Sequence, residues 1–243
     1  KVDSLGIHRP PESRDYLSVI DQGQTYLFTS PTYEGFVENY DLLKPFLKER
    51  LTILDGAHGS HLRFIKEDHN GWMNLQVHSF HKTLGALNQG AVLLSQKEED
   101  LREEACFFQT SSPSYPILAS MEDSIRELKF IKIQEKIQEI NFLKEKIQTI
   151  PGFQVLPNQD PFKLILTAEN GVNLETIGAW LREKYGIYME MERPGYLLGL
   201  LSFYDSLEGY RYFLKALRKA SKHFSLADAF IELQIKELLL PDI

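Results

Sequence analysis

The sequence predicts an α/β fold that gives way to a smaller α+β unit. Three observations predict it. Short apolar runs bounded by turn residues read as buried strands, polar residues gather just past their C-terminal ends, and long helical periodicity sets in from about residue 120. At 243 residues and 43% hydrophobic content, the chain can bury a sizeable core.

The first residues carry Pro10, Pro11 and scattered charges, and read as loop with a weak helix. Tyr26–Thr29 is a buried strand that stops at Ser30-Pro31. Residues 36–49 read as a helix, kinked at Pro45, because Phe36, Val37, Tyr40, Leu43 and Leu47 fall on one side. Leu51–Leu54 is a second strand, ending at Asp55; Leu75–Val77 is a third, and Ala91–Leu94 a fourth. In open parallel sheets, ligands bind beyond the carboxyl ends of the strands, so Asp55 and the Ser79–Lys82 group can face one pocket.

Beyond residue 120 the pattern predicts a linking helix and a small domain, dividing the chain into 1–120 and 121–243. Ile125, Leu128, Ile131, Ile137, Ile140 and Ile147 predict one helix over 121–149, ended by Pro151-Gly152. A strand at Leu164–Leu166, a helix near 174–184 closed by Gly186, and strands near 187–191 and 196–201 follow. A helix at about 207–220 comes next, and the tail from Phe224 to Leu240 reads as another that can pack on a partner.

The net charge of −7 disfavours nucleic acid and suits a cationic substrate. Cys106 is the single cysteine, which excludes an intrachain disulfide and a Cys-rich metal site. His61, His69 and His78 match no common zinc spacing, so no metal is expected. There is no membrane-length apolar run and no signal peptide pattern, and the cytoplasm is the default compartment. The first residue is Lys1 rather than Met, which raises the expectation of a missing stretch.

The chemistry centres on His78-Ser79-Phe80-His81-Lys82-Thr83-Leu84. It sets Lys82 just past an apolar strand, behind Ser79 and His81. A lysine whose pKa is lowered by burial or nearby positive charge can attack an aldehyde; the ordinary alternative is a solvated turn lysine. A hydroxyl and an imidazole can both donate to phosphate oxygens. Three further runs accompany it in order: Thr29-Ser30-Pro31-Thr32-Tyr33-Glu34-Gly35, Asp55-Gly56-Ala57-His58-Gly59 and Gln109-Thr110-Ser111-Ser112-Pro113-Ser114-Tyr115. Over about residues 20–125, the set resembles the pyridoxal-phosphate core of the Orn/Lys/Arg decarboxylase family, which has the fold type I (aspartate-aminotransferase-like) architecture.

The resemblance implies a role for each residue. Lys82 forms the Schiff base with pyridoxal 5'-phosphate. Asp55 keeps the pyridine nitrogen protonated, which makes the ring a better electron sink. The Ala57 methyl packs on the ring, and His58 lies near its phenolic oxygen. Ser79 and His81 hold the phosphate. Thr110 and Ser111 lie on a loop near the dimer interface and are candidate pocket residues, so a homodimer or higher homo-oligomer is expected. Gly186-Ile187-Tyr188-Met189-Glu190 resembles a strand of the family's small domain.

Three departures stand against the match. No glycine-rich phosphate loop precedes Tyr26, Gly56 stands where the family motif Asp-Glu-Ala-His-Gly has glutamate, and the stretch between His61 and His78 is short. The expected activity is decarboxylation of arginine, lysine or ornithine. A non-catalytic relative acting as a binding or regulatory module is the alternative. Transamination or aldol cleavage on the same cofactor is a third reading.

Overall fold

The computed structural model describes residues 2–7, 9, 11, 13–17, 20, 23–65, 70–96, 101–169 and 172–226. The chain divides into two compact units, one over Arg9–Lys132 and a second over Val2–His8 together with the residues from Ile133 on.

The first unit contains helix α1 (Ser13–Tyr16), strand β1 (Thr25–Thr29), helix α2 (Lys44–Leu47), strands β2 (Leu51–Asp55) and β3 (Leu75–Ser79), helix α3 (Phe80–Thr83), strand β4 (Ala91–Ser95), and helices α4 (Arg102–Cys106) and α5 (Tyr115–Leu128). The strands form one sheet in the order β1-β2-β3-β4. β1, β2 and β3 are parallel, and β4 runs antiparallel along β3. The core lies on one face, where Phe28 and Leu54 pack with Ile20, Tyr40, Leu43, Leu47 and Met73. The Phe28 and Tyr40 rings sit 4.6 Å apart, with Tyr16 edge-on to both.

The helix expected over 36–49 is reduced to a 3-10 turn at Asp41–Leu43 and the four residues of α2, with Pro45 in its first turn. Side chains from elsewhere keep residues 36–40 out of a helix by taking the backbone groups a helix would need. Thr32 Oγ1 accepts from the Phe36 N–H, and Ser30 Oγ from that of Glu38. Asn70 Oδ1 accepts from the Tyr40 N–H, while Asn70 Nδ2 donates to the Glu38 carbonyl. A backbone satisfied in this way gains nothing from coiling.

The helix expected over 121–149 is two helices. α5 starts earlier, with Pro116 in its first turn, and ends at Leu128. The N–H groups of Lys129, Phe130 and Ile131 donate to carbonyls three residues back, tightening the last turn until the helix stops. Helix α6 (Ile133–Gln148) then opens the second unit.

In the second unit, α6 is followed by strands β5 (Phe153–Leu156) and β6 (Lys163–Ala168), helix α7 (Leu174–Tyr185), strands β7 (Met191–Glu192) and β8 (Leu197–Leu200), and helix α8 (Leu207–His223). The sheet is antiparallel in the order β5-β6-β8-β7. Leu164, Ile165 and Leu166 are fully buried, as are Ile140 and Ile147 of α6, Ile177 and Leu181 of α7, and Leu217 of α8. Asn173 caps α7 by accepting from the Glu175 N–H, and Gly186 closes it at φ +63°, where a side chain would be strained. β5 was not foreseen from the sequence, and the strand expected at 187–191 is only Met191–Glu192. The expected tail helix lies mostly outside the described residues. Among the described residues no helix is long and apolar enough to cross a membrane.

If the Asn70 amide keeps residues 38–40 out of a helix, Asn70→Ala strands two backbone groups. We expect a loss of about 2 kcal/mol in urea unfolding; an unchanged midpoint would contradict this account.

Candidate functional site

β2 and β3 deliver the central residues. They run parallel with Asp55 beside Val77, and the Gly56 N–H donates to the Val77 carbonyl at 2.8 Å, carrying the pairing one residue past the strand. The turn Ala57-His58 therefore lies next to the segment that leaves β3 as α3. Asp55 Oδ1 accepts from the Ala57 N–H at 3.1 Å; no other hydrogen bond is made by this carboxylate among the described residues.

Lys82 stands exposed on α3, with its Nζ 3.4 Å from His58 Nε2. It makes no ion pair among the described residues. The Tyr33 ring packs edge-on against the His58 imidazole, with centroids 4.4 Å apart. Ser79 is buried; its carbonyl accepts from Ser60 Oγ at 3.0 Å, and its hydroxyl has no partner among the described residues.

His81 is half-buried, with Nδ1 2.9 Å from the Gly90 carbonyl. A carbonyl accepts only, so Nδ1 carries the proton, and Nε2 donates only when the ring is doubly protonated. That narrows the expectation that His81 is a simple phosphate donor.

The structure thus brings Asp55, Ala57, His58, Ser79, His81 and Lys82 onto two adjoining segments at the sheet's C-terminal end. Thr110 and Ser111 are not part of this group. Both are exposed on the loop between α4 and α5, and the Thr110 hydroxyl donates to the Ser112 carbonyl.

Tyr33, Ser60 and His78 belong to the arrangement, and sequence reasoning gave none of them a role. A turn tyrosine and a serine after a Gly carry little signal until strand pairing places them. His78 explains the Gly56 departure. A Cβ on Gly56 would lie 2.6 Å from His78 Cε1 and 2.9 Å from Nδ1, so the imidazole fills the space a side chain there would need. His78 is buried, with Nε2 3.3 Å from Gln76 Oε1, which also accepts from Arg63. Gly59 is as constrained, since a Cβ would lie 2.3 Å from Pro31 Cδ. His61 is buried, and His69 lies outside the described residues.

This packing makes the two residues reciprocal. Gly56→Ala is expected to cost about 1–3 kcal/mol through overpacking. His78→Ala in the same chain should return most of that loss in a double-mutant cycle, whereas additive effects would contradict the contact.

Comparison with known proteins agrees with this geometry. The family model for the Orn/Lys/Arg decarboxylase major domain matches residues 14–156. An arginine decarboxylase of Bacillus cereus is 26% identical over 236 residues, which cover 86% of this chain and 51% of that protein. The chain therefore spans about half the length of this curated relative. The E. coli constitutive lysine decarboxylase superposes with a TM-score of 0.80 at 21% identity, over 93% of this chain and 42% of that one. A serine palmitoyltransferase solved with pyridoxal phosphate superposes with a TM-score of 0.68 at 16% identity, over 88% of this chain and 60% of that one. These likenesses are to fold type I enzymes, and with the family model covering more than half of the residues, the chain belongs to the Orn/Lys/Arg decarboxylase family.

Proposed function

We propose that this chain carries the lysine-bearing part of a pyridoxal-phosphate-dependent decarboxylase of a basic amino acid. The observation that carries the reading is the Lys82 amine 3.4 Å from His58 Nε2, on the segment adjoining the turn that follows Asp55.

The donor set fits the cofactor. Among the described residues, Lys82 offers an amine without a competing ion pair, Asp55 a carboxylate with acceptor capacity to spare, and Ser79 a hydroxyl without a hydrogen-bond partner. When bound, pyridoxal phosphate supplies an electron sink for the bond broken at the substrate α-carbon. Lys82 Nζ would hold its aldehyde carbon, Asp55 would keep a proton on its ring nitrogen, and Ser79 would donate to its phosphate. His58 Nε2 stands within reach of Lys82 Nζ and would pass protons to and from it during the reaction. The edge-on Tyr33 ring keeps the imidazole aimed at that amine.

The net charge of −7 favours a cationic substrate, and the name of the Bacillus cereus relative makes arginine the first to try, before lysine and ornithine. The exposed Thr110–Ser111 loop is open to a neighbouring subunit, in keeping with a homo-oligomer. The second reading is a relative that keeps the fold as a binding or regulatory module.

Release of carbon dioxide from arginine, lysine and ornithine in the presence of the cofactor tests the proposal. Lys82→Ala should abolish turnover, and His58→Ala should lower it by roughly 10²-fold. Undiminished turnover in Lys82→Ala would overturn the assignment. Cofactor binding without turnover on any of the three would favour the binding module.

A further inference from the structure

A cavity of about 410 Å³ lies within the second unit, lined by the segment before β7, the end of β8 and the first turns of α8. Small-molecule pockets run from roughly 300 to 1,000 Å³. Its walls are largely aromatic, with Tyr188, Tyr204, Tyr212 and Phe213 in the lining. The Tyr212 hydroxyl donates to the Tyr185 carbonyl at 3.0 Å, which fixes that ring. Two polar groups of the lining have capacity to spare. Tyr210 is only 6% exposed, and its hydroxyl has no hydrogen-bond partner among the described residues. The Asp205 carboxylate accepts from the Ser202 N–H and hydroxyl, and makes no ion pair among the described residues. Lys136 Nζ lies 5.8 Å from the Tyr210 ring centre, but it is committed to the Glu139 carboxylate and the Asp205 carbonyl. Among the described residues, no lysine or arginine lines the cavity.

A buried phenol without a partner is costly in the free protein, and a ligand atom that meets it removes the cost. Burial, then the negative charges of Asp205 and Glu139, push the Tyr210 pKa up, so its oxygen is un-ionised in a negative surrounding. Such an oxygen accepts from the N–H of a cation. Aromatic faces attract ammonium and guanidinium groups, most strongly where water is displaced. A carboxylate on the ligand would meet Asp205 and find no basic partner. We propose that this cavity binds an aliphatic amine or guanidinium cation that carries no carboxylate, with Tyr210 Oη and Asp205 as acceptors and the tyrosine rings as walls. The amine left when a basic amino acid loses its carboxyl group is of this class. That link rests on the decarboxylase reading; the site itself rests on the cavity.

The test is equilibrium dialysis of the 243-residue chain, without added cofactor and at about 0.15 M salt to screen loose attraction to its net charge. The probes are 1,5-diaminopentane and agmatine, with lysine and arginine as their carboxylate-bearing counterparts. The chain should bind the two amines at least about tenfold more tightly than the amino acids. Tyr210→Phe and Asp205→Asn should each weaken amine binding about tenfold. Tyr210→Phe should also unfold at the same or a higher urea concentration than the native chain, since it deletes an oxygen without a partner; a structural hydroxyl would give the opposite shift. Lys82→Ala should bind the amines as the native chain does. Should Asp205→Asn fail to fold, Tyr188→Ala replaces it: that ring is 76% exposed, and its loss should weaken binding about threefold. No amine binding, equal affinity for amine and amino acid, unchanged binding in Tyr210→Phe, or binding lost in Lys82→Ala would each overturn the proposal. Amine binding in a chain that decarboxylates nothing leaves this site standing while the decarboxylase reading fails; turnover without amine binding at Tyr210 does the reverse.

Discussion

The arrangement depends on the parallel register of β2 against its neighbours. The Ser30 N–H donates to the Asp55 carbonyl on one side, and the Gly56 N–H donates to the Val77 carbonyl on the other. The backbone at Asp55 is thereby fixed by two strands before any ligand binds. A slip of one residue would turn Asp55 to the opposite face and carry the Ala57-His58 turn away from α3. The short distance between Lys82 and His58 follows from this pairing, since α3 alone is too short to position a side chain.

Packing beneath the turn explains a sequence feature that first looks like decay. A glycine where the family motif has glutamate suggests a damaged site. Here Gly56 is the complement of His78, whose ring lies against its Cα and is tied through Gln76 to Arg63. Gly59 stands in the same relation to Pro31. Both glycines let a neighbouring ring close onto the turn, so the loop is held by sterics as well as by hydrogen bonds. The substitution is a packing exchange, and it leaves the Asp55 and His58 side chains in place.

The strands of the first unit were legible because each is a compact apolar run, and their C-terminal polar residues marked the site's position. Residues 36–40 misled because their apolar spacing is helical, while the groups that keep them from coiling come from Asn70, thirty residues away, and from Ser30 and Thr32. The break after Leu128 carries no Gly or Pro, so periodicity ran straight through it. β5 is four residues long and follows a turn, too short for alternation to register. Within the site, the Asp55, His58 and Lys82 positions were readable from motif order. The Tyr33 and His78 contacts were not, because they arise only when separate segments are brought together by strand pairing.

The most direct test of the central claim is chemical. The chain is mixed with pyridoxal phosphate, reduced with borohydride and digested, and the modified lysine is located by mass spectrometry. The account predicts one dominant modified residue, Lys82, with little label elsewhere. Label spread over surface lysines, or absent from the peptide that carries Lys82, would contradict it.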